Sequence, residues 1–548
     1  MKTASTLAST RTAQIEMLKK DPQQWDLIVV GGGITGAGVF REAANLGLKV
    51  LLVEQRDFAW GTSSRSSKMV HGGLRYLGSG QFGLANDSVK ERQNLMTELP
   101  GLVEPLPFMM GHYRGVFPGP WIFNKLLAIY DFMAGKRYRR FFKKGIQDYL
   151  VPGMNATHLK GATQFADAVT DDARLVMRVI QAGQQDNGLA INYLKAQELI
   201  KENGKVHGLV LKDVESDAHI QVRAKVVINA TGVWTDELRT MMGEERVIRP
   251  LRGSHLVLPF WRLPVAFSVS FFHPKDKRPV FVFPWEGVTV VGTTDLDHKL
   301  DNVKEASISE QELSYLLEAA NQQFPEAKLQ KRDVRSTWSG VRPVVSKRSV
   351  KSGQSVNLDK PAKPSDEKRE HAVWDDNGLI SVAGGKLTTY RLIALDVLQA
   401  AESYLGIPAS QLKSSSHFKS AQDLMGSDIH PRLSSGTKRR LYGRYGEQVT
   451  SIYSLVQATP ALAEKIGTSD TLWVELVWAC QTESVVHLDD LLLRRTRIAL
   501  LLAKGAEDVM GEIKAICQAH LHWDESKWQL ELNHFHRIMQ QHYSLPEC

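Results

Sequence analysis

Cysteine is nearly absent from this chain: there are three in 548 residues, Cys480, Cys517 and Cys548, and no Cys-x-x-Cys pair. That excludes a cysteine-based zinc site and a disulfide framework, and it suits a reducing compartment. No metal is called for. Long apolar runs are missing too, since nothing approaches the roughly 18 uninterrupted apolar residues of a membrane span. Residues 1–24 have no apolar signal segment and are read as a tail with a helix at 14–20. Internal repeats and low-complexity tracts are also lacking. Acidic residues fall short of basic ones, 60 against 68, for a formal charge of +8. The imbalance favours an anionic partner, whether phosphorylated substrate, anionic lipid or nucleic acid, and does not choose among them.

What is present begins with a short β-branched run, Trp25 to Val30, stopped by Gly31-Gly32-Gly33-Ile34-Thr35-Gly36. Glycines 31, 33 and 36 match Gly-x-Gly-x-x-Gly, and a helix is predicted after them. Gly31 permits the tight turn, Gly33 lets backbone approach a pyrophosphate, and Gly36 allows close helix–strand packing. Free N–H groups at the helix start receive the phosphate. A second strand, residues 49–54, ends in Glu54, placed to bond a ribose hydroxyl. Strand, helix, second strand and terminal acid together make a dinucleotide site.

Three later segments extend that site to FAD. Small hydroxyls at Thr62, Ser63, Ser64 and Ser67 follow the acid and suit a second phosphate and ribityl chain. Residues 226–232 read as a buried strand ending in Ala230-Thr231-Gly232. Residues 379–383 form a strand running into Gly384-Gly385-Lys386-Leu387-Thr388, where another helix start is offered to the flavin end.

These segments together resemble the FAD-dependent, quinone-linked glycerol-3-phosphate dehydrogenases. The carrying motifs are GGGITGAG, TSSRSSKMVHGGLRYL, DDARLV, INATGVW, RGSHLVLP, VGTTD, SGVRP, AGGKLTTYR and LDDLLLRRTRIAL, in that order. The resemblance implies an α/β chain with a discontinuous Rossmann-type FAD domain (25–80, 170–250 and 370–400). It also implies a mixed-sheet α+β substrate domain (81–169 and 251–369) and a helical C-terminal domain (401–548). The implied reaction oxidises sn-glycerol 3-phosphate to dihydroxyacetone phosphate, with FAD passing electrons to membrane quinone. A cytoplasmic enzyme attached peripherally to the inner face of the cytoplasmic membrane is expected, and a homodimer is one expected assembly.

That reaction needs a grip on a phosphate dianion and a proton acceptor for the C2 hydroxyl. Arginine suits the first, because its planar fork bonds two oxygens at once. The resemblance assigns Arg75, Tyr76, Arg342, Arg369 and Lys386 to the substrate, and His71 and Gly72 to the flavin end. For the acceptor, Lys386, His255 and His71 are the candidates. These are preferred over arginine, which stays charged near neutral pH, and Arg342 is counted with them among the catalytic residues. Lys386 and His255 are not ranked by sequence, and His71 is placed beside the isoalloxazine.

Residues 121–133 read as an amphipathic helix, followed at 136–144 by cations interleaved with aromatics. An interfacial anchor on an anionic membrane surface has this pattern. So does a core helix beside a solvated basic face. No nucleic-acid-binding module accompanies the cations, which sets nucleic acid aside. The helical C-terminal third is assigned capping, dimer contact or quinone-side docking. One alternative is a soluble glycerophosphate oxidase using dioxygen, which would share nearly every motif. A more distant one is an amine or amino-acid oxidase of the same flavoprotein group. From another class comes an FAD-bearing redox sensor or membrane scaffold without turnover.

Overall fold

In the computed structural model, Gln24–Val30 lies at the middle of a sheet whose parallel core is also built from Val50–Val53, Leu189–Ile191, His219–Asn229 and Leu379–Ala383. The residues described are 11–20, 24–78, 80–299, 305–346, 371–412, 418 and 433–546. Leu27, Ile28, Val29, Leu51 and Leu52 are wholly buried, as unbroken apolar strands must be when both sheet faces are covered. On one face pack the helices Ile34–Asn45, Asp172–Gln185 and Tyr390–Ala400. The antiparallel pair Leu194–Glu202 and Lys205–Asp213 joins the edge of His219–Asn229, and Ala372–Asp376 closes the far edge.

A second sheet of ten strands is mixed. Ser268–Phe272 runs parallel to Val103–Tyr113, and the other pairings are antiparallel. Ile248–Pro259 and Ser336–Val345 pair along ten consecutive positions, which aligns His255 with Trp338 and Leu251 with Arg342. Met69–Val70 pairs with Leu159–Thr170 in this sheet, although the sequence reading puts residues 25–80 wholly in the first unit. The chain thus crosses between sheets at the 61–70 turn and brings that turn against both. Glu310–Gln323, started by a Ser309/Glu312 capping box, covers part of the second sheet.

The C-terminal helices share one apolar cluster with the second sheet: Phe108, Val290 and Trp338 pack with Leu491, Ile498 and Phe535. Burial also reaches the arginines of the Arg494-Arg495-Thr496-Arg497 run. Arg494 and Arg495 bond Asp57, at 2.5 and 2.7 Å, while Arg497 bonds Asp171 at 3.0 Å and also Asp172. Arg174 makes a two-pronged pair with Glu483 at 2.6 and 2.9 Å. Burial alone would raise the Asp57 carboxyl, but Arg495 and Arg494 outweigh it and hold it at about 2. Asp57 therefore contributes stability that is fully present above the ordinary aspartate value of 3.8 and lost as pH falls toward 2. Replacing Asp57 by Ala removes the carboxylate shared by two buried guanidiniums and leaves Arg494 to Asp489 and Asp490 and Arg495 to the Glu483 carbonyl. It is expected to lower unfolding free energy by about 3–5 kcal/mol, read as a lower urea midpoint at neutral pH.

Candidate active site

The Gly31–Gly36 turn is built as its spacing implies. Gly31 has φ +112°, and a Cβ there would lie 2.5 Å from the Ala230 carbonyl oxygen. At Gly36 a Cβ would fall 1.9 Å from the Gly31 oxygen, so the helix packs as closely on the strand as backbone allows. Gly33 is the residue before the Ile34–Asn45 helix, and a Cβ on it would project to 3.1 Å from Ser63 Oγ. Ser63 Oγ accepts the Ile34 N–H at 3.0 Å. Glu54 accepts the N–H groups of Gly32 and Arg56 at 2.7 and 2.9 Å, which aims its carboxylate into the same space. Burial pushes this carboxyl up.

A cavity of about 420 Å³ runs from this cradle into the second sheet. Along it lie Gly31, Gly33, Ile34, Thr35, Glu54, Thr62, Ser63 and Ser67, then Ala230, Thr231 and Gly232. Gly384, Gly385, Lys386, Leu387 and Thr388 follow, with His71, His255 and Arg342. Thr388 Oγ1 is 3.2 Å from both the N and the O of His71, clasping the two motifs together. Three expected cofactor residues are not on the cavity wall: Gly36, packed against the strand, and Ser64 and Gly72, which stand behind it. The Ser64 carbonyl accepts the Lys68 ammonium, and Gly72 donates to Asp167 while its α-carbon packs on the Tyr130 hydroxyl.

Three charged or titratable groups mark the inner end. Lys386 Nζ lies 3.7 Å from the centre of the Tyr76 ring and 3.1 Å from Ser88 Oγ. A cation over an aromatic face is stabilised as a cation. Arg342 is 3.4 Å from Asp295 and 3.5 Å from the Thr294 carbonyl. His255 is buried, stacked on Trp338 with ring centres 5.0 Å apart, and its Nε2 is 2.9 Å from Ser67 Oγ. Burial, and after it the charges of Lys68 and Arg342, hold His255 well below the ordinary histidine value, so the ring is neutral at physiological pH. Arg75 falls in the Leu74–Gly78 helix, with its side chain outside the description, and Arg369 lies outside the described residues.

Thr293 and Asp295 also line this end, while Trp338 and Lys68 stand behind His255; none of the four was singled out by sequence. The one available signal for Lys68 was its place inside the serine-rich motif, where a lysine reads as solvated.

The comparisons agree with this geometry. Residues 26–391 match the family model for FAD dependent oxidoreductases, and residues 402–528 match the C-terminal domain of alpha-glycerophosphate oxidase. The chain belongs to the FAD-dependent oxidoreductase family. Among its relatives, an aerobic glycerol-3-phosphate dehydrogenase of Staphylococcus saprophyticus is 32% identical over 515 residues, covering 89% of this chain and 90% of the relative. A glycerol-3-phosphate dehydrogenase 2 of Mycobacterium bovis is 33% identical over 522 residues, 91% of this chain and 86% of the other. The solved glycerol-3-phosphate dehydrogenase of Bacillus halodurans, complexed with FAD, superposes with a TM-score of 0.76 at 25% identity, covering 97% and 98% of the two chains. L-alpha-glycerophosphate oxidase of Mycoplasma pneumoniae shares the fold at 17% identity and a TM-score of 0.54.

FAD fits the residues of this family member. Side-chain-free Gly31 and Gly33 leave a cradle that a Cβ would fill, next to helix N–H groups and Glu54. Gly33→Val keeps an ordinary backbone angle, φ −81°, yet puts a branched side chain where phosphate must sit. The variant is expected to fold and to be purified with at least tenfold less flavin per chain, measured by absorbance at the flavin band against protein.

Proposed function

We propose that this FAD-dependent oxidoreductase converts sn-glycerol 3-phosphate to dihydroxyacetone phosphate and delivers the electrons to a membrane quinone. The observation that carries the substrate is the lining of the cavity, which holds a neutral imidazole, His255, together with two cations, Arg342 and Lys386. Cations suit a phosphate dianion and a neutral imidazole suits a hydroxyl that must lose its proton. FAD, when bound, supplies the hydride acceptor.

Lys386, charged above Tyr76, and Arg342 grip the phosphate and orient the three-carbon chain. His255 takes the C2 hydroxyl proton, since its ring is neutral and its position is set by Ser67 and Trp338. Lys386 is assigned to binding and not to proton transfer, because its place over the ring favours the ammonium form. His71, clasped by Thr388, closes the flavin end.

The acceptor is argued from the surface. Pro120–Ala134 is a helix whose Phe123, Leu127 and Tyr130 are buried, as a core helix requires. Its other side remains apolar in water: Trp121 is 73% and Phe132 is 87% exposed, and outside the helix Phe117 and Tyr149 are 74% and 88% exposed. Packing explains only the first face. Apolar rings in water beside Lys125, Lys136, Arg137, Arg140 and Lys143 support docking on an anionic bilayer, at the inner face of the cytoplasmic membrane, where quinone is reached without a spanning helix. Among the described residues no helix is long and apolar enough to cross a membrane.

Four outcomes test this reading. His255→Asn should slow anaerobic flavin reduction by about 10²–10⁴-fold while FAD stays bound. Arg342→Ala should weaken glycerol 3-phosphate binding about ten- to hundredfold, with FAD retained; loss of FAD in that variant would contradict the assignment. The doubly substituted Trp121→Ser, Phe132→Ser protein should sediment less with phosphatidylglycerol vesicles than the parent does. Reoxidation of reduced flavin by air as fast as by quinone would favour an oxidase.

A further inference from the structure

We propose that Lys68 is a positioning residue for the proton acceptor: its buried ammonium ties the 64–68 turn to Asp172 and keeps the His255 imidazole in its neutral form. The inference rests on the reading of His255 as acceptor. Lys68 is wholly buried, and its Nζ donates to the Ser64 carbonyl at 2.5 Å and to both oxygens of Asp172 at 2.8 and 2.9 Å. Ser66 gives its N–H and hydroxyl to the same carboxylate at 2.9 and 2.7 Å. The turn is therefore wound around Asp172, which pairs with Lys68 and with Arg497. At Lys68 the backbone has φ +57°, a left-handed conformation that a lysine holds only when its surroundings impose it.

Lys68 reaches His255 by three routes. Ser67, its neighbour in the chain, is the hydroxyl at His255 Nε2. Trp338, whose ring stacks on His255, carries the Lys68 ammonium 4.7 Å from its centre and donates Nε1–H to the Ser66 carbonyl at 3.1 Å. The third route is charge. After burial, the charges that act on His255 are those of Lys68 on the turn and Arg342 on the neighbouring strand. Asp295 lies beside Arg342, and Asp172 with Arg497 lies behind Lys68. His71 and Lys386 line the same cavity. Burial, then Arg497, pull Lys68 itself down to about 7. Lys68 thus carries its charge throughout the acid range in which His255 would gain a proton, and it opposes that gain.

The test is the titration of His255 in protein labelled with ¹³C at histidine Cε1, followed by NMR and assigned by the resonance missing from His255→Asn. In the parent protein the ring should stay neutral well below pH 6.5; titration at or above that value would overturn the proposal without any Lys68 variant. In Lys68→Met the His255 midpoint should rise by about one unit or more, and the acid limb of the flavin-reduction rate should move up with it. In Lys68→Arg, which keeps the charge, the midpoint should stay low. An unchanged His255 midpoint in a folded Lys68→Met protein would refute the role of Lys68. If the NMR midpoint shifts but His255→Asn leaves the acid limb of the rate in place, the acceptor reading itself has failed, and the proposal falls with it for a different and recognisable reason.

Discussion

Asp171 and Asp172, adjacent and buried, are the point to which the separate parts of this chain are fastened. Asp171 starts the Asp172–Gln185 helix by accepting the Arg174 N–H, and its carboxylate also takes Arg444 and Arg497 from the C-terminal helices. Asp172 takes Lys68 and Ser66 from the turn that lines the cavity, and Arg497 from behind. Unpaired, a buried carboxylate would be driven to its neutral form. Here three cations approach the pair closely, and the Asp171 carboxyl is held far below its ordinary range despite burial. Such a network is costly to disturb piecemeal, because removing one member leaves its partners charged and dry. Its consequence is geometric: the C-terminal helices are locked to the turn that presents Ser67, so the active-site wall and the distant domain share one support.

The cavity then acquires a direction. At its outer end lie backbone N–H groups, glycines without Cβ and the Glu54 carboxylate, which suit pyrophosphate and ribose. At its inner end lie Arg342, Lys386 and the neutral His255, which suit a small phosphorylated alcohol. The outer end is built on the first sheet. At the inner end His255 and Arg342 come from the second sheet and Lys386 from the turn after Leu379–Ala383 of the first, with the crossing of the chain at residues 61–70 between them.

What was legible in the sequence was local. A strand, a glycine turn and a helix announce themselves within twenty residues, because the turn has steric requirements that only glycine meets, at Gly31 by backbone angle and at Gly36 by contact. Glu54 followed from its place at the end of the next strand. Arg494, Arg495 and Arg497 were visible as a motif without a task, since their partners Asp57 and Asp171 lie more than 300 residues away. Lys68 was hidden for the same reason: composition places a lysine among serines in water, and only Asp172 and Trp338 place it inside. Ser64 and Gly72 are motif residues of the converse kind, holding the wall from behind through Lys68, Asp167 and Tyr130. The aromatic helix was ambiguous because one amphipathic pattern suits both core and membrane. Its exposed rings appear only once the buried face has been assigned.

The account rests on a flavin that is reduced by one phosphorylated alcohol at the inner end of this cavity. The most direct measurement is the visible spectrum of the FAD-loaded protein without oxygen, before and after sn-glycerol 3-phosphate is added. Full bleaching of the oxidised-flavin bands, absent with glycerol alone, is the expected result. Unchanged bands at saturating glycerol 3-phosphate, in protein that dithionite still bleaches, would contradict the account.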